Sequence, residues 1–290
     1  MDHTRQGAVP GGPGLTHYTG YLLRRAYARS LDQERACLQD DTGMREVAVL
    51  AALHANGATS QRELGDLLHV NRSVMVKVVD ALEGRGWVVR ERNPADRRSY
   101  ALRITEAGVR VLEGAWVDLD RLDRELMAGL DATERVTLAR HLRTLLGLAP
   151  VLGVEQLGER PSYLLTFAHQ SARNRAMATL GPLGIDTRDF GILSVVSAEQ
   201  PCSRVLVASR IGVTPPAVQG SIDALVRRGL LQIASNPGDR REHALELTKE
   251  GRRVLAAARR AAGRVQADVT LALGESGEAE LRSLLSKVIA

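Results

Sequence analysis

Four residues at helical spacing, Arg72, Ser73, Val76 and Lys77, carry the chemistry of groups that meet the edge of a base pair. Arginine and lysine donate hydrogen bonds to guanine O6 and N7, and an aliphatic side chain touches a thymine methyl group. Val70, Met75, Val79 and Leu82 recur on the other side of the same helix, at the spacing of a stripe that faces a core. Asn71 stands at the helix start, where its side chain can cap and where free N–H groups attract phosphate. Asn71, Arg72, Ser73, Val76 and Lys77 are therefore the expected nucleic-acid contacts of this stretch. The stretch recurs 143 residues later as Thr214-Pro215-Pro216-Ala217-Val218-Gln219-Gly220, with both cations gone. Prolines are acceptable in a first helical turn, but each removes an N–H that could meet phosphate. Gln219, whose amide can read adenine, and Thr214 are the contacts expected there, so the two stretches should bind unequally.

Two loop tips add a second kind of contact. Asn93-Pro94-Ala95-Asp96-Arg97-Arg98 and Asn236-Pro237-Gly238-Asp239-Arg240-Arg241 share the pattern Asn-Pro-x-Asp-Arg-Arg. Proline and the small residue after it set a turn, and the aspartate holds nearby backbone or an arginine. Arg97, Arg98, Arg240 and Arg241 then project towards phosphate or a minor groove.

Other chemistry is not written in the chain. Seven histidines are dispersed without the spacing of a zinc site, and the two cysteines, Cys37 and Cys202, have no counterparts in each other's repeat and are expected to be inert thiols. No glycine-rich phosphate loop or nucleophile elbow is present, so neither an enzyme nor a resident metal or cofactor is expected. A net charge of +5 suits a nucleic-acid partner without requiring one. Lys77, Lys249 and Lys287 are the only lysines, so arginine supplies nearly all the positive charge. The absence of an apolar run near the ~18 residues of a membrane span, and of a signal-like start, leads us to expect a cytoplasmic protein with no membrane partner.

The elements that must position these residues come in two copies. Asp80 onward aligns with Asp223 onward at the same offset of 143 residues, with about half the positions identical across DALEGRGWVVRERNPADRRSYALRITEAGVRVL. We read a disordered tail over 1–14, a first repeat over 15–147, a linker over 148–160 and a second repeat over 161–290. Periodicity predicts helices over 15–39, 45–55, 61–69, 72–85, 106–130 and 132–146. Ser60 with Glu63 and Asp131 with Glu134 form capping boxes, Asn71 is an N-cap, and Gly86 ends the fourth helix. Alternating residues between Trp87 and Ile104 predict a two-stranded hairpin. Helix, turn, helix and hairpin in that order make a winged helix-turn-helix.

With the wing followed by Leu102-Arg103-Ile104-Thr105-Glu106-Ala107-Gly108, and by Leu245-Glu246-Leu247-Thr248-Lys249-Glu250-Gly251 in the second copy, the chain resembles the MarR family of bacterial regulators. The resemblance implies a mainly α fold with small β-wings. It also implies two winged domains joined by a helical core of the kind that homodimers share, here an intramolecular pseudo-dimer within a monomeric polypeptide. It implies a repressor of transcription that binds a double-stranded DNA operator and responds to a small aromatic or phenolic effector. Tyr18, Tyr21, Arg25 and Trp116 are the residues expected to contact such an effector, the first three by sharing one helix face. The alternative is a winged-helix scaffold or protein-interaction module that has lost specific DNA binding.

Overall fold

The computed structural model describes residues 14–38, 42–68, 70–92, 100–147, 155–236 and 239–290. The 1–13 part of the expected tail over 1–14, the first wing tip over 93–99 and the 148–154 part of the expected linker lie outside the described residues.

A 3-10 turn at Leu15–His17 leads into α1 (Thr19–Cys37), followed by α2 (Met44–Asn56), β1 (Thr59–Ser60), α3 (Gln61–Leu67) and α4 (Arg72–Gly84). The first wing is β2 (Val88–Arg92) and β3 (Tyr100–Ile104), and α5 (Glu106–Leu126) and α6 (Ala132–Leu146) complete the repeat. Inside the stretch read as a linker, α7 (Glu155–Gly158) forms one helical turn. The second repeat runs through α8 (Pro161–Leu180), α9 (Thr187–Glu199), α10 (Arg204–Ile211), α11 (Pro215–Arg227), β4 (Leu231–Asn236), β5 (Asp239–Leu247) and α12 (Lys249–Ile289). Gly274 interrupts α12 with φ 72° and ψ 163°. The fold is mainly α with two winged helix-turn-helix domains in one chain.

Local chemistry explains most boundaries. Ser60 Oγ accepts from Glu63 N at 3.2 Å while Glu63 Oε2 accepts from Ser60 N at 2.8 Å, which closes the start of α3. These bonds hold the Glu63 carboxyl below the usual carboxylate range. Asp131 and Glu134 repeat the exchange at α6. Gly86 adopts φ 71° just past α4, in the left-handed region a β-carbon disfavours. In the first wing β3 lies between β1 and β2, antiparallel to both, with Val88 opposite Ile104 and Arg92 opposite Tyr100. In the second, β4 and β5 pair antiparallel, and a single bridge from Cys202 to Leu245 stands in for the third strand.

One expected helix is corrected. The run over 15–39 is not continuous: Tyr18 is extended (φ −88°, ψ 116°) and α1 starts at Thr19. The cause lies far along the chain. Gln266 Oε1 accepts from Thr19 N at 2.9 Å, and Gln266 Nε2 donates back to Thr19 Oγ1 at 3.2 Å. The extended turn lets the Tyr18 ring pack edge-on against Phe190, with centroids 5.5 Å apart.

The chain forms two compact units that each draw on both repeats. One comprises Met1–Leu22 with Ala172–Leu271, and the other Leu23–Ser171 with Ala272–Ala290. The first unit surrounds a core that includes Tyr18, Phe190, Leu193, Val207, Ile222, Leu225, Leu245 and Leu255, all buried. The second buries Leu23, Leu50, Leu64, Met75, Leu82, Leu102 and Leu119 around α2. Its chain-terminal segment docks through Glu280 Oε2, 2.8 Å from the buried His141 Nε2, and through a Lys287–Glu134 ion pair.

Candidate nucleic-acid interface

In the first repeat, α3 and α4 meet through a turn closed by Val70 N donating to Gly65 O at 2.9 Å. Met75, Val78, Val79 and Leu82 bury one face of α4. Arg72, Ser73, Val76 and Lys77 are exposed on the other, as their spacing required. Asn71 and Ser73 are partly occupied within the protein. Asn71 Oδ1 accepts from Val74 N at 3.0 Å and from Ser73 Oγ at 2.9 Å, so the Asn71 carbonyl is committed to the cap. Arg72, Lys77 and Val76 are left as the outward groups of the helix.

A clamp absent from the sequence reading ties α4 to its wing. Arg90 of β2 meets Asp80 Oδ1 at 2.6 Å and Glu83 Oε2 at 3.0 Å, both on α4. Arg97 and Arg98 lie outside the described residues. Below the wing, Thr105 Oγ1 donates to Gly86 O at 2.7 Å and accepts from Gly108 N at 3.1 Å. Thr248 makes the same pair of bonds in the second repeat, to Gly229 O at 2.6 Å and from Gly251 N at 2.9 Å. The Thr-x-x-Gly pattern thus seats each wing on the helix that follows it.

The second repeat builds its helix-turn-helix on the same core positions, with Val218, Ile222 and Leu225 of α11 fully buried. Its outward face is different. Thr214, Pro215, Pro216, Ala217, Gln219 and Gly220 are exposed and none is charged. Thr214 occupies the N-cap position without a side-chain capping bond, and proline stands at the first helical positions. A β-carbon at Gly220 would meet nothing within 4 Å, so the protein's own packing does not demand glycine there. Gln219 Nε2 lies 3.1 and 2.9 Å from the two oxygens of Asp223, which also takes Arg204 Nη1 at 2.9 Å. These donors hold the Asp223 carboxyl below its usual range, the Gln219 bond most of all. The backbone of Arg240 and Arg241 runs in β5, while their side chains fall outside what is described.

Sequence models of the MarR family match residues 44–100 and, separately, residues 183–242, each spanning one helix-turn-helix and the first part of the wing that follows. A putative transcriptional regulatory protein for the hcr operon of Thauera aromatica is 34% identical over 128 residues, which are 43% of this chain and 77% of that protein. The HTH-type transcriptional repressor NicR of Pseudomonas putida is 34% identical over 135 residues, 46% of this chain and 84% of that protein. The chain belongs to the MarR family. A crystal structure of the PcaV transcriptional regulator from Streptomyces coelicolor with its natural ligand is 27% identical and covers 51% of this chain and 98% of that one, at a TM-score of 0.43. Each of these two sequence relatives matches less than half of this chain, in keeping with two MarR domains in one polypeptide. This MarR-family chain is a DNA-binding transcription regulator and not an enzyme.

The residues expected around an effector in this MarR protein fall in both compact units. Tyr18 and Tyr21 belong to the unit built on the second repeat, and Arg25 and Trp116 to the other. Tyr18 precedes α1 rather than sharing its face with Tyr21 and Arg25, and its ring packs on Phe190. Tyr21 Oη donates to Arg210 O at 2.8 Å. Trp116 is half-buried with the Arg160 guanidinium 5.4 Å from its ring. A cleft of about 440 Å³ that the sequence did not signal lies between the end of α8 and α12, where Arg260 and Arg264 stand beside Ala178 and Thr179. Both cysteines are buried; burial pushes the Cys202 thiol up to about 11 and raises the Cys37 thiol as well. Among the described residues no group of three His, Cys, Asp or Glu could hold a metal ion, and no helix is long and apolar enough to cross a membrane.

Proposed function

We propose that this MarR protein is a repressor that binds an asymmetric, pseudo-palindromic operator as one polypeptide, and that a small aromatic or phenolic effector changes its DNA affinity. The observation that carries the reading is the pair of helix-turn-helix domains with unlike outward faces, cationic on α4 and neutral on α11. Cations at a major-groove helix supply both base contacts and the salt-dependent attraction to phosphate. A neutral helix start with two prolines supplies much less, so the half-site under the first repeat is the stronger one. The name of the Pseudomonas relative supports repression. Compact units that each contain segments of both repeats support an intramolecular pseudo-dimer.

A mobility-shift assay with the DNA upstream of the protein's own gene, run across a salt series, tests the reading. The expected complex contains one 31.4 kDa chain per operator, protects two unequal half-sites and weakens steeply with salt. A free protein that sediments only at twice that mass counts against the single-chain mode. Failure to retard any upstream fragment favours the scaffold alternative instead. For the effector, calorimetry with aromatic acids is compared between the wild type and variants at Tyr21, Arg25 and Trp116 and, separately, at Arg260 and Arg264. Arg260 and Arg264 border a cleft of a size that small ligands use, and two guanidinium groups there suit a carboxylate. No heat from any acid, with DNA affinity unchanged, removes the effector from the proposal.

A further inference from the structure

Among residues 214–220, only Gln219 is an exposed side chain long enough to hydrogen-bond deep in a groove. Its amide is already oriented by the protein. Asp223, one turn further along α11, is bonded by Gln219 Nε2 at 3.1 and 2.9 Å and by Arg204 Nη1 of α10 at 2.9 Å. An ionised carboxylate has only acceptors, so it selects the NH₂ end of the glutamine and turns Oε1 away from itself. An acceptor held outward pairs with the exocyclic amino group of adenine or cytosine and is repelled by guanine O6 or thymine O4.

We infer that Arg204 and Asp223 are positioning residues that fix Gln219 as a hydrogen-bond acceptor, so that the second repeat selects adenine or cytosine over guanine or thymine on the strand beneath it. This rests on the DNA-binding reading above and adds a base preference to it. The first repeat shows that the arrangement is not simply inherited with the fold. Asp80, the counterpart of Asp223, is bound by Arg90 of the wing instead, at 2.6 Å. Where the second repeat has Arg204, Gln219 and Ile233, the first has Gln61, Val76 and Arg90. The three differences fit together. An aspartate not bound by the wing is free to take Arg204, and a glutamine in place of valine supplies the group that the aspartate orients. The same network accounts for a neutral recognition helix that still distinguishes bases.

The test is selection of the full-length protein against a pool of duplexes with randomised sequence, comparing base frequencies for the wild type, Gln219→Ala, Gln219→Lys and Asp223→Asn. The wild type should favour adenine or cytosine at one position of the weaker half-site by roughly tenfold. Gln219→Ala should level that position, and Gln219→Lys, which replaces an acceptor by a donor at an exposed site, should turn it towards guanine. Asp223→Asn offers the amide both donor and acceptor partners and should broaden the preference there while leaving the half-site under the first repeat unchanged. A pool enriched only under the first repeat, or a preference that survives either Gln219→Ala or Asp223→Asn, overturns the inference and leaves the DNA-binding reading intact. A pool with no enrichment in either half overturns both. If Asp223→Asn fails to fold, the two exposed-site variants still decide whether position 219 reads the base as an acceptor.

Discussion

Gly251 passes so close to the carbonyl of Leu230 that a β-carbon at position 251 would stand 2.0 Å from the oxygen. Gly108 has the same relation to the carbonyl of Trp87, at 2.2 Å. Both approaches are to backbone, which cannot rotate away, so alanine at either position must push the wing off the helix that follows it. We expect Gly108→Ala and Gly251→Ala each to destabilise the protein by about 1–3 kcal/mol. Thermal unfolding of the two variants checks this; an unchanged melting temperature for either would mean that the close approach is not required.

Replacing Gln266 tests how the start of α1 is held. Its amide satisfies both the backbone N–H and the hydroxyl of the buried Thr19. Gln266→Leu leaves that N–H without its partner, which should cost about 1–3 kcal/mol. Amide hydrogen exchange at the first turn of α1 should accelerate in the variant, and protection equal to the wild type would contradict the assignment.

Lys77→Ala and Arg72→Ala should weaken operator binding by about 1–3 kcal/mol each if the side chain reads a base. If instead either meets a phosphate, the slope of log affinity against log salt should flatten by about one unit. Fluorescence anisotropy across a salt series separates the two roles. Equal losses for Lys77→Ala and Gln219→Ala would contradict the inequality of the half-sites.

Glu34 gives the protein a pH dependence of defined sign. The residue is buried, accepts from Met44 N at 3.2 Å, and burial raises its carboxyl above the ordinary value of 4.5. A carboxyl whose pKa is raised by folding adds stability below the ordinary glutamate range and loses it as pH rises through the folded value. The Glu34→Gln substitution keeps an acceptor for Met44 N and leaves no charge to desolvate. The melting temperature of that variant relative to the wild type should therefore rise with pH over the interval above the ordinary value of 4.5. A relative fall over that interval would show that the ionised form is the favoured one.

The two thiols should be silent in the folded protein. Cys202 is pushed up to about 11 by burial and then by Glu199, and Cys37 is raised by burial and then by the carboxylate of Glu125. Neither supplies much of the thiolate that alkylation requires near neutral pH. Mass spectrometry after brief iodoacetamide treatment should find no adduct on the native protein and two on the unfolded chain. Rapid native labelling of either cysteine would reopen a redox role.

Sequence alone determined those features whose causes lie within a few residues of one another. The capping exchanges at Ser60 and Glu63 and at Asp131 and Glu134, the Asn71 cap, the left-handed Gly86 and the buried stripe of Met75, Val79 and Leu82 all follow from contacts one helical turn apart. The duplication was equally legible, because a constant offset survives in the order of residues whatever their partners. Tertiary structure decided where the partner is remote. Tyr18 leaves the helical pattern because Thr19 meets Gln266, 247 residues away. Asp80 and Asp223 occupy the same place in the two alignments, yet one is bound by a wing arginine and the other by Arg204 and Gln219. Residue order carries the identity of such charges but not their distances, and a carboxylate's role is set by whichever donor the folded chain brings within about 3 Å of it.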